Sequence, residues 1–257
     1  MFPSAGTSEN AALPALAVRG LRKTFGALVA LDNLSFEVRE REIFGIAGPN
    51  GAGKSTLLNV CTGMLPASAG EIYLGGERID GEPPYRLCHR GLVRTFQVPQ
   101  LFNSLTVFDN VATGAMFGTA ARSIDVRPVP ERVEEVLAIT NLSAKRMMPV
   151  DSVDLLSRKM VMLAAALVTG PRLVFMDEPM AGLTGPEIDR FVELISDLHA
   201  RLALTFMIIE HKVRALARLC DRIMIIHYGN RIALDTPEKA LRDPQVIDVY
   251  LGAEYFA

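Results

Sequence analysis

Gly48-Pro49-Asn50-Gly51-Ala52-Gly53-Lys54-Ser55-Thr56 is the stretch whose reading decides the fold. It is glycine, four residues, then Gly-Lys-Ser, the spacing of a phosphate-binding loop. Glycines let the backbone turn with positive φ and come close to a ligand. Successive N–H groups then point into one concavity and hold phosphate oxygens. Lys54 is placed to reach the outer phosphates, and the Ser55 hydroxyl to reach a magnesium ion. The pattern carries weight only between a strand and a helix. Ile43-Phe44-Gly45-Ile46-Ala47 is an apolar run of strand length, and Thr56-Leu57-Leu58-Asn59-Val60 reads as the start of a helix beginning near Lys54. The positive end of that helix adds to the attraction for an anion.

The chain on either side reads as α/β. Upstream, Leu16-Ala17-Val18-Arg19 and the alternating Leu34-Ser35-Phe36-Glu37-Val38 predict strands, with Lys23-Thr24-Phe25-Gly26 as a turn carrying an aromatic. Downstream, Glu71-Ile72-Tyr73-Leu74 followed by Gly75-Gly76 predicts another strand and turn. A small antiparallel layer flanking the loop strand is expected. Residues 98–160 differ. Thr106 to Val111 predicts a helix opening at a Thr or Ser cap, Glu131 to Leu137 has helical spacing, and residues 118–130 between them predict a loop. This block reads as a largely helical insertion.

Beyond it, Leu173-Val174-Phe175-Met176 runs into Asp177-Glu178-Pro179, and Leu204 to Ile209 runs into Glu210-His211. Both read as buried strands whose carboxyl ends carry polar groups, where open α/β sheets place ligands. Helices are predicted at Glu187 to Arg201 and Val213 to Leu219, a strand at Arg222 to His227, a turn at Tyr228-Gly229-Asn230, and helical structure from Thr236 to Leu251. Strands alternating with helices imply a mainly parallel sheet. The domain expectation is a mobile tail over 1–14 and one domain over 15–257.

Composition bounds the function. The chain has 257 residues, 49% of them apolar, enough for one large domain with a real core. Its net charge of −2 implies no general pull toward nucleic acid. Cys61, Cys88 and Cys220 are too scattered for a disulfide framework or a metal site and read as core fillers. The first sixteen residues lack the basic-then-apolar order of a signal peptide. No stretch reaches the roughly 18 apolar residues of a membrane span, so work at a membrane requires docking on other chains.

With a phosphate loop upstream, Asp177 fits a second magnesium-organising acid and Glu178 a group that polarises an attacking water. Taken in order, these residues resemble the nucleotide-binding subunit of an ATP-binding cassette (ABC) transporter, over about residues 16–251. The resemblance implies a P-loop NTPase core with ATP and Mg²⁺ as cofactors. Phe25 then stands where an aromatic stacks on adenine, and Gly48 to Thr56 where the family has its Walker A loop. Gln97, in Arg94-Thr95-Phe96-Gln97, matches the glutamine that contacts Mg²⁺ and water and senses the transmembrane subunit. Asp177 and Glu178 match the Walker B aspartate and catalytic glutamate, and His211 the switch histidine facing the γ-phosphate. The block at about 98–160 matches the family's inserted helical subdomain. The implied partners are transmembrane permease subunits and a second ATPase subunit, with the chain peripheral on the cytoplasmic face of the inner membrane.

One element departs. The family's signature loop, Leu-Ser-Gly-Gly-Gln, opens the helix before Walker B and closes over the partner's γ-phosphate. Counting back ten residues from the final leucine of Ala164-Ala165-Ala166-Leu167 places it on Val153-Asp154-Leu155-Leu156-Ser157. Asp154 then replaces the serine and two leucines replace the glycines. An aspartate repels a γ-phosphate unless screened, and leucine lacks the freedom of glycine. In the other register, Leu156-Ser157, the glycines become Arg158 and Lys159. A heterodimer with one competent site is expected. Thr184 in place of the usual aspartate after Walker B, Arg-Thr-Phe-Gln, and the closing Val249-Tyr250-Leu251-Gly252 resemble the branched-chain amino acid uptake branch. Amide or urea uptake and lipid export are alternatives. So are a soluble DNA-repair or translation ATPase, against which the charge argues, and a non-hydrolysing regulatory cassette, against which intact Lys54, Asp177, Glu178 and His211 argue.

Overall fold

The computed structural model describes residues 13–117 and 127–251. In chain order the first elements are β1 (Leu16–Phe25), β2 (Leu28–Val38), β3 (Ile43–Ala47), α1 (Lys54–Cys61), β4 (Ala69–Leu74), β5 (Glu77–Arg78), α2 (Pro84–His89) and β6 (Leu92–Thr95). Three longer helices follow: α3 (Val107–Phe117), α4 (Val129–Ile139) and α5 (Leu155–Leu167). The rest is β7 (Leu173–Asp177), α6 (Gly185–Leu202), β8 (Thr205–Ile209), α7 (Val213–Leu219), β9 (Arg222–His227), β10 (Asn230–Asp235), α8 (Pro237–Ala240) and α9 (Pro244–Leu251).

The central sheet runs β10-β9-β3-β8-β7-β6, and every pair except β10–β9 is parallel. Its central strands β3, β8 and β7 are near-continuous apolar runs because each is buried on both faces. Successive side chains point to opposite faces of a strand. Thus Val174 and Met176 of β7, with Phe206 and Ile208 of β8, enter one core with α5, α6 and α7. Leu173 and Phe175, with Met207 and Ile209, enter the other, shared with α1 and the antiparallel sheet. That second sheet, β2-β1-β4-β5, is the expected flanking layer. It is locked to the first by Phe36 stacked on Phe44, ring centroids 5.6 Å apart.

The structure corrects several local expectations. Lys23 to Phe25 belong to β1, and Gly26 at φ 58° makes the turn. β5, α2, β6 and β10 were not foreseen; β6 is only four residues long and carries Arg94 and Thr95 amid its apolar positions. The loop expected over 118–130 ends earlier, since Val129 and Pro130 open α4, where proline's missing N–H costs nothing. Its remaining residues 118–126, and residues 1–12 of the tail, lie outside the described residues. The helical stretch from Thr236 is broken into α8 and α9, each opening on a proline that cannot continue a preceding helix. Thr106 caps α3 as expected, its Oγ1 accepting from the Asp109 N–H at 3.0 Å. All three cysteines are free, with Cys61 and Cys220 buried.

Helices α3 and α5 cross at Gly114, where an added Cβ would lie 2.2 Å from the Ala165 carbonyl oxygen. Gly→Ala inside a helix ordinarily stabilises by about 0.8–1 kcal/mol. Here the clash with backbone reverses the sign. Gly114→Ala is expected to lower the stability of the fold by about 1–3 kcal/mol, as overpacking does, read as a lower urea midpoint at unchanged slope.

Candidate nucleotide-binding and catalytic site

Parallel pairing gathers the polar residues. Ile46 pairs with Ile209, Asp177 with Ile209, and Thr95 with Met176. The carboxyl ends of β3, β8, β7 and β6 therefore stop side by side, and the next residues along each chain are the phosphate loop, Glu210-His211, Glu178 and Phe96-Gln97. The ladder continues past the strand ends: the Glu178 N–H donates to Ile209 O at 2.9 Å, and the Glu210 N–H to Ile46 O at 3.1 Å. Glu178 is held at φ 43°, a left-handed conformation that few non-glycine residues adopt.

The loop wraps Lys54. Its Nζ donates to Gly48 O at 2.6 Å and Pro49 O at 2.9 Å, and the side chain is buried. Burial pushes the ammonium below the usual lysine range, while Glu178 and Asp177 pull it back up. Gly53 precedes α1 at φ 103°, and a Cβ there would lie 2.6 Å from Ala30 O, so only glycine brings the loop this close to β2. No side chain caps α1, which leaves its first-turn N–H groups facing a cavity of about 320 Å³. Phe25, Asn50 to Thr56, Glu178 and Tyr228 line that cavity. Phe25 is 45% exposed, with Lys23 Nζ 5.0 Å from its ring centroid.

Gln97, Glu178 and His211 come together. Gln97 Nε2 donates to Glu178 Oε2 at 2.6 Å, and His211 Nδ1 lies 3.6 Å from the same oxygen. Asp177 stands beside them but is not open: its Oδ2 accepts from Arg94 Nη2 at 2.7 Å, and both side chains are mostly buried. Sequence reasoning missed that partner. Arg94 also donates to Asn59 Oδ1 of α1 at 2.6 Å, tying the loop helix to β7. The available signal was a charged residue inside a short apolar strand. Lys159 was missed as well. It is buried on α5 and donates to Gln97 O at 3.0 Å, with burial pushing its ammonium down and Glu210 and Glu178 opposing. Glu210 is fully buried, accepting from the Met180 N–H at 2.6 Å, and burial pushes its carboxyl up.

Val153 to Ser157 lie elsewhere, where α5 begins. Asp154 is the N-cap: its Oδ1 accepts from the Ser157 N–H at 2.8 Å and its Oδ2 from the Ser157 hydroxyl at 2.9 Å. Lys145 Nζ donates to Asp154 Oδ2 at 2.7 Å and to Ser157 Oγ at 2.6 Å. Burial raises the Asp154 carboxyl, but Lys145 and Ser157 overcome it and hold it at about 2. Leu156 is buried and Leu155 is 39% exposed. Thr184 lies where α6 begins, its hydroxyl donating to Glu187 Oε2 at 2.6 Å.

The donor set fits a hard cation bound through phosphate. Ser55 is exposed, and Ser55, Asp177 and Gln97 all carry side-chain oxygens, the ligands magnesium prefers. No group of three or more His, Cys, Asp or Glu suited to a metal occurs among the described residues.

Fold and site together define a P-loop nucleoside triphosphatase. A family model described as ABC transporter matches residues 31–181. The branched-chain amino acid transport ATP-binding protein LivG of Salmonella typhimurium is 34% identical, across 93% of this chain and 98% of the relative. BraF of Pseudomonas aeruginosa, of the same description, is 32% identical over 93% and 98%. Among solved structures, the ADP conformation of MJ1267, an ATP-binding cassette of an ABC transporter, aligns with a TM-score of 0.83 at 31% identity, covering 93% of this chain and 99% of that one. The chain belongs to the ABC transporter family: it is a nucleotide-binding ATPase subunit of the kind that works with transmembrane permease components. No helix among the described residues is long and apolar enough to cross a membrane.

The cap at Asp154 gives a pH-dependent expectation. Asp154→Ala should cost about 1 kcal/mol at neutral pH, the usual worth of an N-cap; the ion pair with Lys145 is half exposed and adds little. The folded carboxyl titrates below its unfolded value of about 3.9. The stabilisation is therefore full above that pH and lost as pH falls toward about 2. Urea unfolding of both proteins over this range checks it: the two curves converge at the acid end.

Proposed function

We propose that this chain hydrolyses Mg²⁺–ATP to drive uptake of branched-chain or chemically related amino acids. The convergence of Lys54, Gln97, Glu178 and His211 at the ends of adjacent parallel strands, around one cavity, carries the catalytic part of this reading. The cargo rests on the relatives, which are named as branched-chain amino acid transport proteins. Phe25 stacks on the base, and the amides of residues 48–56 and Lys54 hold the phosphates. Ser55, Asp177 and Gln97 would hold magnesium, which when bound neutralises charge developing on the phosphoryl oxygens. Glu178 orients the attacking water and His211 faces the γ-phosphate. Arg94 holds the Asp177 carboxylate in place through their hydrogen bond. The cation in Lys54 is preorganised by two carbonyls and costs little reorganisation at the moment of reaction.

The assembly we propose pairs this chain with a second, different ATPase subunit and with permease subunits, at the cytoplasmic face of the membrane. The 98–160 block serves as the helical subdomain. Where α2, β6 and α5 meet lies an apolar groove of about 330 Å³, lined by Met64, Pro84, Leu87, Phe96 and Met162. It adjoins Gln97 and receives a helix of the transmembrane subunit, so that the hydrogen bond from Gln97 to Glu178 transmits docking to the catalytic acid. Val153 to Ser157 serve as the signature toward the partner's nucleotide. Asp154 has its oxygens committed to Ser157 and Lys145, and leucines stand at both glycine positions, so the site closed by this chain's signature turns over slowly. This chain's own loop, closed by the partner's intact signature, is the working site.

Three measurements check this. Lys54→Ala should abolish ATP binding in calorimetry. Glu178→Gln should retain binding while hydrolysis falls by about 10²–10⁴, the usual worth of a general base, and uptake of radiolabelled leucine by membranes carrying the complex should stop with it. The equivalent partner variant should leave most turnover intact; equal losses from the two sites would overturn the asymmetric dimer.

A further inference from the structure

Tyr228 is absorbed by none of this, yet it lines the same cavity as Phe25 and the phosphate loop. Its conformation is unusual in two ways. It lies at φ 46°, which an aromatic residue rarely adopts, and it is 76% exposed in a chain that buries most of its large apolar side chains. The turn that holds it there is not loose. The next residue, Gly229, donates its N–H to Ala52 O of the phosphate loop at 2.9 Å, and its own carbonyl accepts from the Asp32 N–H of β2 at 3.0 Å. A Cβ at position 229 would lie 2.7 Å from Ala30 O, so β2, the loop and this turn touch backbone to backbone. The ring of His227 packs against Tyr228, centroids 4.1 Å apart, and limits where the ring can turn. The tyrosine hydroxyl has no hydrogen-bond partner among the described residues.

An exposed ring fixed on the rim of a binding cavity, through bonds to the phosphate loop itself, is suited to a ligand face rather than to packing. We propose that Tyr228 is a second base-contacting residue, which with Phe25 gives the nucleotide two aromatic surfaces in one cavity. This rests on the nucleotide-binding reading above and adds a residue to that site. Stacking recognises any flat heteroaromatic base and leaves the phosphates untouched.

The test separates base from phosphate. Tyr228→Asn keeps a residue that tolerates positive φ while removing the ring, and Tyr228→Phe keeps the ring. Calorimetry on the intact protein is run with ATP, and with inorganic tripolyphosphate as the base-free probe. Tyr228→Asn should weaken ATP by about five- to tenfold, the low end of what one stacking contact is worth, leave tripolyphosphate unchanged, and be rescued by Tyr228→Phe. Unchanged ATP affinity in Tyr228→Asn would overturn the inference while the phosphate site stands. An equal loss for both probes would assign Tyr228 to loop geometry and overturn it as well. Failure of the unmodified chain to bind either probe would overturn the nucleotide site itself, and this inference with it. A circular dichroism melt matched to the parent excludes unfolding as the cause of any loss.

Discussion

The in-register pairing of β3, β8, β7 and β6 is the constraint on which the rest of the molecule depends. Parallel strands that start level also end level, and here their ends deliver Gly48, Glu210, Glu178 and Gln97 to one edge. Backbone hydrogen bonds do the delivery, so the arrangement is stiff. The two bonds that continue the ladder, from Glu178 N–H and Glu210 N–H, extend that stiffness to the residues just beyond the strand ends. A slip of one residue would turn each strand's buried side chains to the opposite face. Two cores, each taking alternate side chains, therefore police the register.

Burial works against charge at this edge, and neighbouring opposite charges offset it. Lys54, Arg94 and Lys159 stand among Asp177, Glu178 and Glu210. Each cation is anchored to something fixed: Lys54 to loop carbonyls, Lys159 to the Gln97 carbonyl, Arg94 to Asn59 and Asp177. Removing one partner from such a set strands a charge and costs far more than an exposed ion pair is worth. The anchors also link elements far apart in sequence. Lys159 joins α5 to the glutamine that touches Glu178.

The start of α5 is closed by its own side chains. An aspartate is a good N-cap, and Asp154 caps α5 well, with Lys145 neutralising it. The helix gains a firm terminus. The same bonds commit the amide and hydroxyl of Ser157 internally, where an open helix N-terminus would keep them for an anion.

Motifs set by local spacing were legible in the sequence. The phosphate loop needs glycines and a lysine at fixed separations, apolar runs of five reveal buried strands, and Thr106 announces the start of α3. By itself the sequence determined the α/β class, the loop and the acids that end β7 and β8. The bounds of β1 were misjudged because pairing with neighbouring strands decides where a strand stops, whereas the break between α8 and α9 follows from Pro237 and Pro244. Only the tertiary structure decided that Arg94 clasps Asp177, that Lys159 holds Gln97, and that Tyr228 shares a cavity with Phe25. These contacts join residues 62 to more than 80 positions apart. They follow from which strands pair and which helix packs where, and no local pattern in the chain records that.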